Sequence, residues 1–234
     1  MTPDILYRDD DILAVNKPAG MLVHRGWGND PVVLVDWVRE ITGERTVHPL
    51  HRLDRQTSGA VLFALNREAA RRMGACFESD EVKKSYWTLV RGEAPVEGKI
   101  DHPIPGHEGG PKVEARTAFR RIAVLQTEPR HTSWLLVCPR TGRLHQVRRH
   151  LKHISHPVIG DANYGKGDIN RAFRERYGLC RTALHAAAVA FVHPIKKQYI
   201  LIRAPLPEDL AIPLSRMGLP VNVPAESNRL QPAS

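Results

Sequence analysis

The chain has 234 residues, with 34 Lys and Arg against 25 Asp and Glu, which gives a formal net charge of +9. Its 42% hydrophobic and 25% charged residues are ordinary for a globular protein, and its length suits one sizeable domain or two small ones. It contains no apolar run of about 18 residues and no apolar N-terminal segment, so we expect neither a transmembrane helix nor a secretory signal.

The first half of the chain is predicted to alternate short strands with two helices. Strands are predicted at residues 5–7, 11–15, 60–65 and 84–90. Helices are predicted at residues 31–41 and 67–78. Asp30 and Asn66 are their candidate N-caps, and Gly43 lies just past the end of the first helix, where glycine is favoured.

The second half is predicted to contain paired strands, a basic helix and a closing hairpin. Strands are predicted at residues 113–125, 132–138, 183–192 and 198–202, and helices at 143–154 and 206–217. Residues 99–111 hold three prolines and three glycines and are predicted to be a loop. Residues 161–177 are expected to form a mobile, basic insertion. We expect one domain over residues 1–219 and a flexible tail over 220–234.

The positive charge indicates a partner of opposite charge. A basic surface favours polyanions, with nucleic acid ahead of anionic membrane, although a merely solubilising charge is the alternative. The three cysteines, Cys76, Cys138 and Cys180, are odd in number and far apart, so neither a disulfide framework nor a CxxC metal pair is predicted. A reducing, cytoplasmic setting fits this cysteine usage.

A polar stretch at residues 51–59 leads directly into the apolar run at 60–65. It places Asp54 between Arg52 and Arg55, followed by a turn-prone Thr-Ser-Gly sequence. Guanidinium groups beside a carboxylate favour its charged form. This pattern indicates a preorganised charged site at the start of a buried strand, although an exposed turn with a surface ion pair is the alternative.

This stretch resembles the HRLDxxTSG signature of the RluA-type pseudouridine synthases. The resemblance implies that Asp54 is the catalytic residue and that Arg52 enters the RNA stack where the target base flips out. The NKPAG…VH sequence at residues 16–24 resembles the opening motif of the same family. Arg25 stands where most members have proline, a departure shared by the tRNA pseudouridine synthase C branch.

The sequence KSYWTLVRG at residues 84–92 resembles the family motif KxYxAxVxG. The resemblance makes Tyr86 the tyrosine that stacks on the target base, although a strand tyrosine is more commonly a core residue with its hydroxyl at the rim. Thr88 stands where alanine is usual. The later sequence Leu184-His185-Ala186 matches another family block, in which Leu184 lines the base pocket.

The sequence TGRLHQVRRH at residues 141–150 is, by composition alone, a phosphate-binding patch. It resembles the family motif TGRxHQ[IL]RxH, in which the arginine after the apolar residue pairs with the catalytic aspartate. The resemblance therefore pairs Arg148 with Asp54 and assigns Arg143, His145 and Gln146 to RNA or base binding. The sequence HPVIGD at residues 156–161 matches a further block of the family.

Four histidines, His145, His150, His153 and His156, lie within twelve residues of one another and raise the alternative of a zinc site. No acidic or thiolate ligand lies close to them in sequence, and Pro157 interrupts the helix. We therefore expect no metal there, and phosphate contacts or structural hydrogen bonds instead.

The resemblance extends from residue 5 to about residue 202 in five ordered blocks. It implies an α+β fold with a mostly antiparallel sheet in two lobes around an RNA-binding cleft. It implies a monomeric enzyme without cofactor that isomerises a specific uridine, most closely uridine 65 of tRNA, with 23S rRNA as runner-up. A non-catalytic basic RNA-binding protein is the alternative from another class, and it would have no need for Asp54.

Overall fold

The computed structural model describes residues 2–25 and 32–219. The predicted N-cap Asp30 and the predicted tail at 220–234 lie outside the described residues. The chain divides into two compact units, unit 1 from residues 1–84 and 185–205 and unit 2 from residues 85–184 and 206–234. No helix among the described residues is both long enough and apolar enough to cross a membrane.

The described residues form twelve strands and five helices. The strands are β1 Asp4–Arg8, β2 Ile12–Lys17, β3 His48–Pro49, β4 Ser58–Ala64, β5 Lys83–Arg91, β6 Glu97–Asp101, β7 Ile104–Pro105, β8 Lys112–Val113, β9 Arg116–Leu125, β10 Thr132–Pro139, β11 Leu184–Val192 and β12 Tyr199–Arg203. The helices are α1 Leu34–Thr42, α2 Arg67–Glu78, α3 Gln146–His153, α4 Gly167–Tyr177 and α5 Glu208–Arg216. This content of strands and helices confirms the predicted α+β class.

In unit 1 the strands follow the order β1, β2, β4 and β11, with β12 paired to β11 and β3 paired to β4. All of these pairs are antiparallel except β4 with β11, which is parallel. The centre of the unit is β4, which is buried along its whole length because its residues are almost all apolar. Apolar residues of β2, β4, β11 and β12 pack with Met73 of α2.

In unit 2 the strands follow the order β5, β10, β9 and β6, and the pairs of β10 with β5, β10 with β9 and β6 with β9 are antiparallel. β7 and β8 form a small separate hairpin. The prediction of a loop over residues 99–111 is therefore wrong in part, because residues 99–101 belong to β6 and residues 104–105 form β7. Main-chain pairing of β6 with β9 and of β7 with β8 outweighs the local turn chemistry at these positions.

Three predicted boundaries or segments need correction. The helix predicted from residue 31 begins at Leu34, because Val33 is extended with φ −119° and ψ 160°. The helix predicted from residue 143 begins at Gln146, because His145 takes left-handed backbone angles that no helix interior permits. Residues 161–177, expected to be a mobile insertion, contain α4 instead, and Asp161 and Phe173 are completely buried.

Candidate active site

Asp54 lies in a tight turn that precedes β4. The turn closes with a hydrogen bond from the Thr57 amide to the Asp54 carbonyl oxygen at 3.0 Å. Leu53 and Thr57 on either side are buried, while Asp54 is half-buried and Arg52 is exposed. Asp54 is therefore partly accessible, on a turn whose neighbouring residues are buried.

Lys17, at the end of β2, anchors this turn through its ammonium group. Its side chain is completely buried. Its ammonium donates to three backbone carbonyl oxygens, those of Pro18 at 2.8 Å, Met21 at 2.8 Å and Arg55 at 3.2 Å. The Gly20 amide donates to the same Arg55 oxygen at 2.8 Å. The residue next to Asp54 is thus tied to the NKPAG loop by two donors.

His51 anchors the start of the same stretch. Its Nε2 accepts a hydrogen bond from the Leu62 amide of β4 at 3.1 Å, and its ring lies 5.4 Å from the Phe77 ring of α2. Burial, with a smaller contribution from the positive charge of Lys84, lowers the pKa of His51 to about 3. The imidazole is therefore neutral at pH 7, as an acceptor nitrogen must be.

Ser58 and Gly59 join the turn to β11. Ser58 Oγ lies 2.8 Å from His185 Nδ1, and His185 Nε2 lies 3.2 Å from the Ala204 carbonyl oxygen, all within the buried interior of unit 1. Gly59 has φ +115°, and a Cβ atom there would collide with the backbone of Ala186. Glycine is required here because the two parallel strands approach closely.

His24, which ends the opening motif, and Arg25, which follows it, have different surroundings. Burial, and then the positive charge of Arg52, lower the pKa of His24. Arg25, which replaces the usual proline, is exposed and pairs with Asp36 of α1 at 2.8 Å. The lowered pKa favours the neutral form of His24, and Arg52, beside the predicted catalytic Asp54, is exposed to solvent.

In unit 2, Tyr86 lies on β5 opposite Val137 of β10 and is 9% exposed. Thr88, two residues further along the strand, is completely buried, and its hydroxyl donates to the Ala183 carbonyl oxygen at 2.8 Å. The replacement of alanine by threonine therefore adds a bond between β5 and the segment that enters β11. Tyr86 stands on a strand held at both edges.

Gln146 organises the loop before α3. Its Oε1 accepts hydrogen bonds from the Thr141 hydroxyl at 2.6 Å and the Arg143 amide at 3.0 Å. Its Nε2 donates to the Arg116 carbonyl oxygen at 2.9 Å and to Thr117 Oγ1 at 3.0 Å. The side chain is buried and structural in these bonds, and the RNA contact assigned to it stays a prediction. Arg143 is exposed, which suits its predicted role.

Arg148, on the first turn of α3, forms a two-pronged ion pair with Asp161. Its Nε donates to Oδ2 at 2.7 Å and its Nη2 donates to Oδ1 at 2.8 Å. The Arg148 side chain is 9% exposed and that of Asp161 is completely buried. The guanidinium and two backbone amides hold the pKa of Asp161 below its usual range, against the opposing effect of burial.

Tyr164 contacts the same face of α3. Its ring centroid lies 5.1 Å from the Arg148 guanidinium carbon and 5.7 Å from that of Arg149. Its hydroxyl accepts a hydrogen bond from Arg149 Nε at 2.7 Å and lies 3.0 Å from His145 Nδ1. We call residues 161–164 the clamp turn, since Asp161 and Tyr164 together contact the beginning of α3.

The histidines considered as zinc ligands make hydrogen bonds within unit 2. His150 is completely buried, with Nδ1 at 2.8 Å from Thr117 Oγ1 and Nε2 at 3.0 Å from the His102 carbonyl oxygen. His156 Nδ1 lies 2.9 Å from the Arg91 carbonyl oxygen. These contacts agree with the predicted structural hydrogen bonds.

Leu184, the first residue of β11, is held by a buried arginine. Arg181 Nη2 donates to the Leu184 carbonyl oxygen at 3.0 Å, and its Nη1 donates to both carboxylate oxygens of Asp209 on α5, at 2.9 and 3.2 Å. Leu184 is itself buried. A helix from the end of the described chain therefore supports the segment predicted to line the base pocket.

The predicted site residues divide between the units. Unit 1 carries Asp54 and Arg52; unit 2 carries the remaining six, Tyr86, Arg143, His145, Gln146, Arg148 and Leu184. The pairing of Arg148 with Asp54 stays a prediction. Sequence reasoning missed the supporting residues Lys17, Asp161, Tyr164 and Arg181. The signal for Asp161 was a lone acid directly after the apolar sequence PVIG, inside a block that already matched the family.

Comparison with known proteins agrees with these motifs. The family model described as RNA pseudouridylate synthase matches residues 11–153, more than half of the chain. The chain belongs to the RNA pseudouridylate synthase family. Its relatives include the tRNA pseudouridine synthase C of Haemophilus ducreyi, 40% identical over 237 residues that cover 93% of this chain and 97% of that protein. The protein of the same name from Pasteurella multocida is 40% identical over 87% of this chain and 91% of its own length.

Solved structures of the family support the same fold. Human RNA Pseudouridylate Synthase Domain Containing 1 superposes with a TM-score of 0.71 at 28% identity, covering 88% of this chain and 84% of that one. Human RNA Pseudouridylate Synthase Domain Containing 4 gives a TM-score of 0.73 over 92% of both chains, at 24% identity, and this likeness concerns the fold alone. The predicted family and fold class are confirmed.

Proposed function

We propose that this protein isomerises a uridine of tRNA to pseudouridine, with Asp54 as the catalytic residue. The observation that carries the proposal is the anchoring of the Asp54 turn, which Lys17, His51 and Ser58 fix from three directions. A carboxylate held on a rigid backbone can be aimed at one sugar atom of a bound nucleotide. Two relatives named for this tRNA activity match most of the chain.

The chemistry needs a carboxylate and no redox partner. The N-glycosidic bond of uridine breaks, the uracil turns, and its C5 is joined to C1′, so the product has the atoms of the substrate. Asp54 acts through a charged oxygen whether it attacks the sugar or removes a proton from C2′. Flipping the base out of the stack costs a few kcal/mol, which insertion of Arg52 and stacking on Tyr86 would offset.

Asp54→Asn tests this assignment, because asparagine keeps the shape of aspartate and lacks its charge. We expect the variant to bind tRNA with an affinity within about threefold of wild type and to form no pseudouridine. The matched control is Asp10→Asn, an aspartate exposed in the β1–β2 turn, which should retain full activity. Substantial pseudouridine formation by Asp54→Asn would remove Asp54 from the catalytic role.

The substrate proposal is uridine 65 in the T-stem of tRNA. Transcripts with uridine or cytidine at that position should differ, with product formed from the first alone. Deletion of the gene followed by carbodiimide treatment and primer extension of total RNA tests the same point in cells. A signal lost from 23S rRNA with every tRNA position intact would defeat the tRNA assignment and leave the chemistry in place.

Substitutions of two arginines in the motif at residues 141–150 should affect turnover and RNA binding differently. Arg148 is buried, and lysine cannot form its planar two-pronged pair, so Arg148→Lys should reduce turnover far more than RNA affinity. Arg143 is exposed, so Arg143→Ala should mainly weaken binding and lower the slope of affinity against salt concentration by about 1. Loss of affinity alone in both variants, with turnover unchanged at saturating RNA, would contradict the proposed division of roles.

We also propose that the enzyme acts as a monomer without a metal ion. Both ring nitrogens of His150 and Nδ1 of His156 lie in hydrogen bonds with protein groups, which supports the part of the proposal that concerns the metal. Metal-stripped enzyme should keep its activity in excess EDTA, and activity that returned only with added zinc would contradict the proposal. Light scattering at assay concentration measures the oligomeric state directly.

A further inference from the structure

We infer that the clamp turn, through Asp161 and Tyr164, is a positioning device that sets the direction of the Arg148 guanidinium during turnover; this inference rests on the proposed function. The motif reasoning gives a role to Arg148 and none to the two residues that hold it. Those residues come from a different segment, with Asp161 thirteen positions further along the chain.

The first ground is the number of bonds that converge on one buried carboxylate. Besides the two bonds from Arg148, Asp161 Oδ1 accepts the backbone amides of Asn163 at 2.9 Å and Tyr164 at 3.1 Å. The backbone amides therefore fix the carboxylate within its own turn, independently of its bonds to the guanidinium. Because a guanidinium is planar, holding Nε and Nη2 also fixes the direction of the third nitrogen, Nη1.

The second ground is a second contact on the Arg148 guanidinium, made by Tyr164. The Tyr164 ring lies against the guanidinium carbon at 5.1 Å, within the range of a cation–π contact. The guanidinium therefore contacts both a carboxylate and an aromatic ring of the same turn. The turn is itself fastened, because the Asp161 carbonyl oxygen accepts Asn170 Nδ2 at 2.9 Å and the Gly160 amide donates to Asn170 Oδ1 at 2.9 Å.

The third ground is energetic. A buried ion pair gives little net stability compared with apolar side chains of similar volume, because both ions lose their hydration. A pair with this many bonds therefore indicates a need for defined orientation, in a helix turn that already carries a motif of the family. The Tyr164 hydroxyl also contacts Arg149 Nε at 2.7 Å and His145 Nδ1 at 3.0 Å.

Unit 1 supplies a matched control with almost the same construction. Asp9 Oδ1 accepts the backbone amides of Asp11 at 2.9 Å and Ile12 at 2.8 Å, and its Oδ2 pairs with the Lys196 ammonium at 2.9 Å. Its side chain is 10% exposed. Asp9→Asn therefore removes the same kind of charge from the same kind of turn, and Asp9 has no assigned role in the reaction.

The test compares kcat, KM and melting temperature for Asp161→Asn, Asp9→Asn and wild type on the same tRNA. We expect Asp161→Asn to lower kcat by about 100-fold with KM within about threefold, as for a misplaced catalytic group. Asp9→Asn should lower the melting temperature comparably and keep the wild-type kcat in the folded protein. A kcat for Asp161→Asn within threefold of wild type would overturn the inference.

A double-mutant cycle shows whether Asp161 acts through Arg148. In the Arg148→Lys background, adding Asp161→Asn should change the single-turnover rate by less than about threefold, because the group to be positioned is already gone. A further loss of about 100-fold in that background would show an independent role and overturn the inference.

Tyr164 keeps the test decisive even if Asp161→Asn does not fold, since its side chain is half-buried. Tyr164→Leu removes the ring beside Arg148 and should lower kcat by about 10-fold, whereas Tyr164→Phe keeps the ring and should stay within about threefold. Equal rates for these two variants would contradict the inference. Absence of product from wild-type enzyme would instead defeat the proposed function.

Discussion

Replacement of Lys17 by methionine tests how strongly the Asp54 turn is anchored. Methionine keeps the length and the apolar stem of lysine and removes the ammonium, which donates to three backbone carbonyl oxygens. Bonds from a charged donor contribute about 1.5 kcal/mol each at the lower end of their range. Three of them contribute about 4.5 kcal/mol, and relief of the cost of burying an ammonium returns part of it. We expect a net loss of about 3 kcal/mol in the free energy of unfolding.

Urea denaturation followed by circular dichroism measures this difference. Lys99→Met, at an exposed position of β6, is the control and should change the unfolding free energy by less than about 0.5 kcal/mol. Under conditions where the Lys17→Met variant is folded, it should also have a lower kcat with little change in RNA affinity. The reason is that Lys17 binds the carbonyl oxygen of Arg55, the residue that follows Asp54 in the turn. A stability loss below about 1 kcal/mol would refute the reasoning, since the three bonds would then contribute little.

Three further predictions concern unit 1. Burial lowers the pKa of His51 to about 3 in the folded protein, below its ordinary value of 6.5, so the unfolded chain binds the extra proton below pH 6.5. The contribution of His51 to the unfolding free energy should therefore fall by about 1.4 kcal/mol per pH unit as pH drops below 6, and His51→Gln should reduce the slope measured in urea titrations. Asn66→Ala should cost about 1 kcal/mol by the same assay, because the Asn66 side chain caps α2 through the Ala69 amide; an unchanged midpoint would contradict this. Gly59→Ala should abolish soluble folded protein, since the new methyl group would overlap Ala186; a wild-type melting temperature would refute it.

Features that depend on neighbouring residues were predictable from the sequence. α2 runs from Arg67 to Glu78 as expected, and Asn66 accepts the Ala69 amide as an N-cap should. Gly43 follows α1 with φ +72°, the left-handed conformation expected after a helix. These signals lie within four residues of the feature that they determine, so a single sequence contains them.

Features that depend on distant residues were not predictable in the same way. The carboxylate partner of Arg148 is thirteen residues away, and that of Arg181 is twenty-eight residues away on another helix. The charge and glycine content of residues 161–177 predict a mobile insertion, because local composition does not indicate that Phe173 is buried. The motifs indicate candidate reactive groups, whereas the residues that support them follow from tertiary packing that local composition does not encode.

The bond between Arg181 and Asp209 has a consequence for the order of events during synthesis. Unit 2 is interrupted by residues 185–205, which belong to unit 1, and it resumes with the segment that contains α5. Neither unit has all of its strands and helices until the ribosome has passed these late segments. Until Asp209 has been synthesised, the guanidinium of Arg181, which is buried in the folded protein, cannot form its ion pair with this carboxylate. The support of Leu184, which is predicted to line the base pocket, is therefore completed late in translation, and a nascent chain stalled after β12 could not complete it.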